Sequence, residues 1–180
     1  MEKEIPKILF NRYKSLDIEV MKLSQLASKL NDSIGHNPFA AHKIEFYLVL
    51  IITKGFYSHF VDFKSYELTE GSALFIAKNQ VHHFTKELLE AEGFSIVFSS
   101  SFMDKYHFLS DNLKLNRLFN YHIETPVIHQ VEMERDSFVD IANKLYDEYV
   151  FPSDFAKSEM LRTLLHVLLL KAERSKEVQS

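Results

Sequence analysis

The chain has 180 residues, enough for one well-cored domain or a domain with a helical extension, and too few for two comfortable domains. With 46% hydrophobic and 26% charged residues it is neither disordered nor collagen-like, and the lack of cysteine excludes disulfide scaffolds, thiolate metal sites and cysteine nucleophiles. A net charge of -4 argues against the sequence-independent phosphate binding of basic modules, so this region is not expected to grip nucleic acid.

The N-terminal stretch MEKEIPKILFNRYK is charged and has no signal-peptide apolar core. The longest apolar runs, FYLVLII and LLHVLLLKA, are too short to span a bilayer, so a cytoplasmic protein with no membrane partner is predicted. SLDIEVMKL alternates as a strand does, and LSQLASKL reads as the start of a short helix. From Lys43 the chain is dense in β-formers: KIEFYLVLIIT, GFYSHFVDF, YELTEG, SALFIA, VHHFT and GFSIVFSS, with Gly55, Gly71 and Gly93 at turns. Six short strands at close spacing predict a sandwich or barrel. Beyond Ser101, FMDKYHF and NLKLNRLFNY are short helical candidates, and TPVIHQV is one more strand.

The C-terminal part turns helical. In RDSFVDIANKLYDEYV, Phe138, Ile141, Ala142, Leu145 and Tyr149 recur at spacings of three and four, the mark of a one-faced helix. A second helix is predicted after Pro152, capped by Ser153 or Asp154 and running through SEMLRTLLHVLLLKAER. Its apolar surface is far wider than one neighbour covers. It is either buried within its own domain or shared with a second subunit. The second reading makes Leu161, Leu164, Leu165 and Leu168 the dimerisation surface of a homodimer.

Gly71 to His82 fits the second signature of the cupin β-barrels, GxxxxxPxGxxH, with Gly71 and His82 in register, Ala77 at the proline and Asn79 at the second glycine. The first signature, HxHxxxExxxxxxG, lies over HKIEFYLVLIITKG, with His42 and Gly55 in place but Ile44 at the second histidine and Leu48 at the glutamate. Metal-binding cupins hold a divalent ion through three histidines and a carboxylate. Two of those four positions are apolar here, so neither a metal nor another cofactor is expected.

The wider string from His42 to Phe84 resembles the N-terminal effector-binding domain of AraC-type transcriptional regulators, through His42, Gly55, Asp62, Phe63, Tyr66, Gly71 and the Asn79-Gln80-Val81-His82 segment. EGFSIVFSSSFMDKY resembles the strand and short helix that follow in that family, and the likeness runs in element order over residues 15–172. It implies a mainly β fold with C-terminal helices: a cupin-like jelly-roll β-barrel at residues 1–134, then an antiparallel helix pair and linker start at 135–180. The barrel would sense a small-molecule effector, the helices would pair subunits, and residues 1–20 would form a ligand-responsive arm. DNA would be read only by a helix-turn-helix region outside this chain. MLRTLLHVLLL is too rich in leucine to serve as a recognition helix, and KAERSKEVQS reads as the start of a linker. The alternative, on fold analogy alone, is a stand-alone cupin enzyme, an isomerase or dioxygenase.

Alternation assigns the barrel lining. If His42 points inward, so do Ile44, Phe46, Leu48, Leu50 and Ile52. A two-residue turn at Lys54 and Gly55 would set Ile52 opposite Tyr57 and Leu50 opposite His59, with Val61 and Phe63 on the same face. Asp62 would sit on the strand and face outward. His82 and Phe84 point in and His83 out, while Phe94, Ile96 and Phe98 point in and Ser95 out. His42, Phe46, Leu48, Tyr57, His59, His82 and Phe84 are therefore the candidate ligand-binding residues. No nucleophile with a positioned base is evident, so no catalytic residue is assigned.

Overall fold

The computed structural model describes residues 5–8, 16–31, 37–104, 119, 125–129 and 137–179. Among these, two five-stranded sheets stand face to face. The first has the order β1 (Lys7–Ile8), β3 (His42–Ile44), β8 (Val81–His83), β5 (Tyr57–Val61), β6 (Lys64–Leu68). The second runs β10 (Val127–His129), β7 (Ser72–Ile76), β4 (Tyr47–Lys54), β9 (Glu92–Phe98), β2 (Ile18–Lys22). Their facing sides supply one apolar cluster, with Leu48, Leu50, Ile52, Leu74 and Ile76 from one sheet and Ile44, Tyr57, Val61 and Leu68 from the other. This is the interior of a cupin-like jelly roll. The helix α1 (Leu23–Asn31) adds Leu23, Leu26 and Ala27 to the same cluster.

The second sheet is covered on both faces. Val49, Ile51, Ala73, Phe75 and Ile96 turn away from the interior into a second cluster completed by α3 (Phe138–Val150) and α4 (Lys157–Gln179). That explains why β4 reads as an unbroken apolar run, since a strand buried on both sides has no polar face to alternate with. The predicted strand KIEFYLVLIIT is in fact two, because the chain bends at Glu45 and Phe46 and changes sheets.

Register corrects several expected orientations. β9 pairs with β4 so that Leu50 is opposite Ser95 and Leu48 opposite Val97. Directly opposed residues share a face, so Ser95 and Val97 point inward. Phe94, Ile96 and Phe98 instead lie on the outer face under the helices. Aromatic bulk marks a dry face, and this sheet has two. The expected pairing of β4 with β5 does not form: Gly55, at φ +88, carries the chain between sheets, and β4 pairs with β7 and β9. Tyr57, His59 and Val61 still point inward because both sheets turn one face to the same interior. Phe63 does not. Asp62 and Phe63 are the two-residue turn between β5 and β6, at φ 48 and 66, and the Phe63 side chain is 73% exposed. Positive φ at both positions suits the twist of a tight hairpin. Asp62 anchors it: its N–H donates to the Val81 carbonyl at 2.8 Å, and its carboxylate accepts from Gln80 Nε2 at 3.0 Å.

α2 (Ser100–Asp104) follows β9, and NLKLNRLFNY lies outside the described residues apart from Phe119, which is buried in the outer cluster. α3 begins with a capping box, Ser137 Oγ accepting from Asp140 N–H at 3.0 Å and the Asp140 carboxylate accepting from Ser137 N–H at 3.0 Å. α4 begins later than expected, at Lys157, so neither Ser153 nor Asp154 is its side-chain cap; Ser153 Oγ accepts from Phe155 N–H within the preceding turn. Lys157 instead closes the end of α3, donating to the Tyr149 carbonyl at 3.0 Å and to that of Phe151. Leu161, Leu165 and Leu168 are 0% exposed within the single chain, so they are not a surface available to a second subunit. Leu164 is half-buried against the same cluster.

Candidate functional site

The central strand of the first sheet brings the histidines together. β8 lies between β3 and β5, with His42 directly opposite His82 and Val61 opposite His82 on the other side. Alternation along β5 then carries His59 to the same inner face, and Phe84 follows His82 two residues on. The ring centroids of His42 and His82 are 4.2 Å apart, those of His59 and His82 5.1 Å, and Phe84 meets the His59 ring edge-on at 4.9 Å.

A string of hydrogen bonds runs through this group. Thr85 N–H donates to Tyr57 Oη at 3.4 Å, Tyr57 Oη lies 2.7 Å from His59 Nδ1, and His59 Nε2 lies 2.9 Å from His82 Nδ1. The string stops at His82 Nε2, a buried nitrogen with no hydrogen-bond partner among the described residues. His42 Nδ1 donates to the Ala40 carbonyl at 3.0 Å. Burial, then the neighbouring imidazoles, holds His59 and His82 well below the usual histidine pKa, so both are neutral near pH 7. Burial likewise raises the Tyr57 phenol and keeps it protonated.

Five of the seven candidate ligand-binding residues meet directly. His42, Tyr57, His59, His82 and Phe84 form the ring cluster, Leu48 is buried in the same interior, and Phe46 packs against it from the bend between β3 and β4. His83 points away, stacked on Phe60 at 4.4 Å. Sequence reasoning missed Thr85, which orders Tyr57 and also donates its hydroxyl to the Ser58 carbonyl at 2.7 Å. It also missed Tyr66, opposite His59 across the β5–β6 hairpin, and Ser95 inside the barrel. The Asp62-Phe63 turn carries the signal for Tyr66, because a two-residue hairpin there fixes the pairing.

The cluster does not fit a cupin metal. Ile44 and Leu48 stand as buried aliphatic side chains at two ligand positions, and His59 and His82 each spend a ring nitrogen on the other. Among the described residues no group of three His, Asp or Glu side chains has metal-holding geometry. A separate cleft of about 370 Å³ lies where β2, β9 and α3 meet, lined by Lys22, Thr53, Glu92 and Asn143, and shares no residue with the histidine string. No helix among the described residues is long and apolar enough to cross a membrane.

Residues 33–134 match the sequence profile described as the AraC-like ligand binding domain. The chain belongs to that family. No curated protein matches it. Among solved structures, apo ToxT K231A from Vibrio cholerae strain SCE256 aligns with a TM-score of 0.52 at 13% identity, over 91% of this chain and 58% of that one. Unsaturated fatty acid bound wild-type ToxT from the same strain aligns at 0.42 with 15% identity, over 87% of this chain and 54% of that one. The AraC-like transcriptional activator CuxR aligns at 0.38 with 10% identity, over 85% and 48%. The chain thus spans 58% of the first ToxT structure's length, and at 13% identity that likeness speaks to the fold. In this AraC-like ligand-binding domain, the family match takes in every strand from β3 to β10 and all seven candidate residues.

Proposed function

We propose that this chain is the effector-sensing and dimerisation part of an AraC-type transcriptional regulator, cytoplasmic and without catalytic activity. Residues 1–134 form the arm and sensing barrel and residues 135–180 the pairing helices. The effector is a small molecule held in the barrel interior by His42, Phe46, Leu48, Tyr57, His59, His82 and Phe84, and DNA is read by a helix-turn-helix region outside this chain. One observation carries the reading: a buried polar string ends on an unsatisfied nitrogen inside an apolar barrel of a ligand-binding family. Buried polar atoms are otherwise almost always paired. A mostly apolar enclosure with a few polar groups is the ordinary make-up of a small-molecule site. Ligand binding would act by population shift, favouring one arrangement of the N-terminal segment against the barrel. β1 pairs in parallel with β3, the strand that carries His42, which supports a role for that segment.

A thermal-shift screen of small metabolites tests this. A ligand at one hundred times its dissociation constant stabilises the fold by about 2.7 kcal/mol. Hits are expected to lose that shift in Leu48→Phe, which fills the interior, and in His82→Phe. Hits unaffected by both changes but lost in Asn143→Phe would move the site to the cleft beside Lys22.

A further inference from the structure

The hydrogen-bond string has a direction. Thr85 N–H points at Tyr57 Oη and the Thr85 hydroxyl gives its proton to the Ser58 carbonyl. The Thr85 hydroxyl oxygen also reaches the phenol, but the short contact of Tyr57 Oη, 2.7 Å, is to His59 Nδ1, which the geometry points to as the acceptor of the phenolic proton. The lengths agree: 2.7 Å is that of an O–H donor and 2.9 Å, between the two rings, that of an N–H donor. A neutral imidazole carries one proton, so His59, accepting at Nδ1, donates from Nε2 to His82 Nδ1, and His82 in turn carries its own proton on Nε2. The reverse order would make the 2.7 Å contact an N–H···O bond at the short limit of its range, with the phenolic proton turned to the Thr85 hydroxyl oxygen instead. The string therefore ends on a buried donor rather than a buried lone pair.

We infer that the effector presents a hydrogen-bond-accepting oxygen, a carbonyl or carboxylate carried on an apolar body, to the Nε2–H of His82. This rests on the barrel interior being the effector site. An ammonium brings only donors and a hydrocarbon brings nothing, and either would leave the His82 N–H unpaired in a dry interior. Tyr57 is a positioning residue in this scheme: it touches His59, and through it fixes which nitrogen of His82 is protonated.

Two measurements test it. Long-range proton–nitrogen correlation NMR of the histidine rings is expected to show His59 and His82 both protonated on Nε2 near pH 7. A proton on Nδ1 of His82 would overturn the inference outright. Binding is then compared for four probes on one skeleton: 4-phenylbutan-2-one, 4-phenylbutanoate, butylbenzene and 4-phenylbutan-2-amine. At least one of the two oxygen-bearing probes is expected to bind about tenfold more tightly than the hydrocarbon and the amine, the scale of one hydrogen bond to a buried group. Which of the two prevails separates a neutral carbonyl from a carboxylate. The preference should vanish in His82→Phe. Tyr57→Phe, a milder change, should shrink it and shift the ring-nitrogen signals of His59 and His82. An amine or hydrocarbon that binds as tightly as both oxygen-bearing probes would refute the inference while leaving the pocket in place, with His82 then serving a buried water. If none of the four binds although Nε2 of His82 is protonated, the polarity of the string stands and the interior is not the effector site, which removes the inference with it.

Discussion

At the scale of single residues, His59 and His82 tie folding to pH. An unfolded histidine takes up a proton near its ordinary pKa of about 6.5. In the fold, burial and the neighbouring rings of His42 and His83 push both groups well below that value. On acidification the unfolded chain binds protons first, so stability is fully present above about pH 6.5 and declines as pH falls from there toward the folded pKa values. Urea denaturation midpoints measured from about pH 7.5 down to pH 5 should be level at the upper end and fall at the lower. His82→Phe, which removes one of the two groups, should show a shallower decline than the wild type, and equal slopes would mean that the histidines do not set it.

At the scale of elements, Gly93 is a point of close backbone approach in the second sheet. A Cβ built there would stand 2.0 Å from the Ile51 carbonyl oxygen, a backbone atom that cannot swing aside. Gly93→Ala should force β4 and β9 apart and cost about 3 kcal/mol, the upper range for overpacking, read as a lower thermal midpoint. Gly71, whose added Cβ would meet nothing, is limited by its positive φ instead. These strands also show what the sequence could and could not say. Among the described residues most element types and their order from β2 to α4 were legible, because alternation, glycine turns and the spacing of Phe138 to Leu145 each have a local cause, while the bend that splits KIEFYLVLIIT into β3 and β4 was not. The inward face of β8, with His82, was legible from alternation; Tyr57 and His59 of β5 point inward as expected although the β4–β5 pairing that the expectation used does not form. The face of β9 was not. Its orientation depends on whether Leu50 meets Ser95 or Phe94, a choice made by pairing across 45 residues of chain and by the bulge between Ile52 and Lys54. Nor could the leucines of α4 be divided between inside and outside, since that requires knowing which side α3 and the sheet occupy.

At the scale of the whole molecule, that division decides how the proposed dimer should be tested. Leu161, Leu165 and Leu168 belong to the fold itself, and charged residues there should unfold the chain, so loss of a dimer would be uninformative. Met160, Val167 and Leu170 are the outward apolar residues of the same helix, 46%, 37% and 40% exposed, at a spacing that follows one helical face. Replacing Met160 and Val167 with glutamate should halve the mass in light scattering while leaving the unfolding free energy of the monomer within about 1 kcal/mol of wild type, as surface changes usually do. An unchanged dimer mass would place the pairing surface elsewhere.

β4 carries a consequence for how such a protein can diverge. Leu48, Leu50 and Ile52 face the barrel interior and Val49 and Ile51 face the helices, so every position from 48 to 52 belongs to one core or the other. Single-residue insertions there would invert both sets at once, and substitutions are confined to exchanges that keep volume. β6 sits at the opposite extreme, with Lys64, Ser65 and Glu67 in solvent. Across relatives, sequence drift should therefore collect at the edge of the first sheet, while the middle of the second stays nearly fixed in size and length even where the effector has changed.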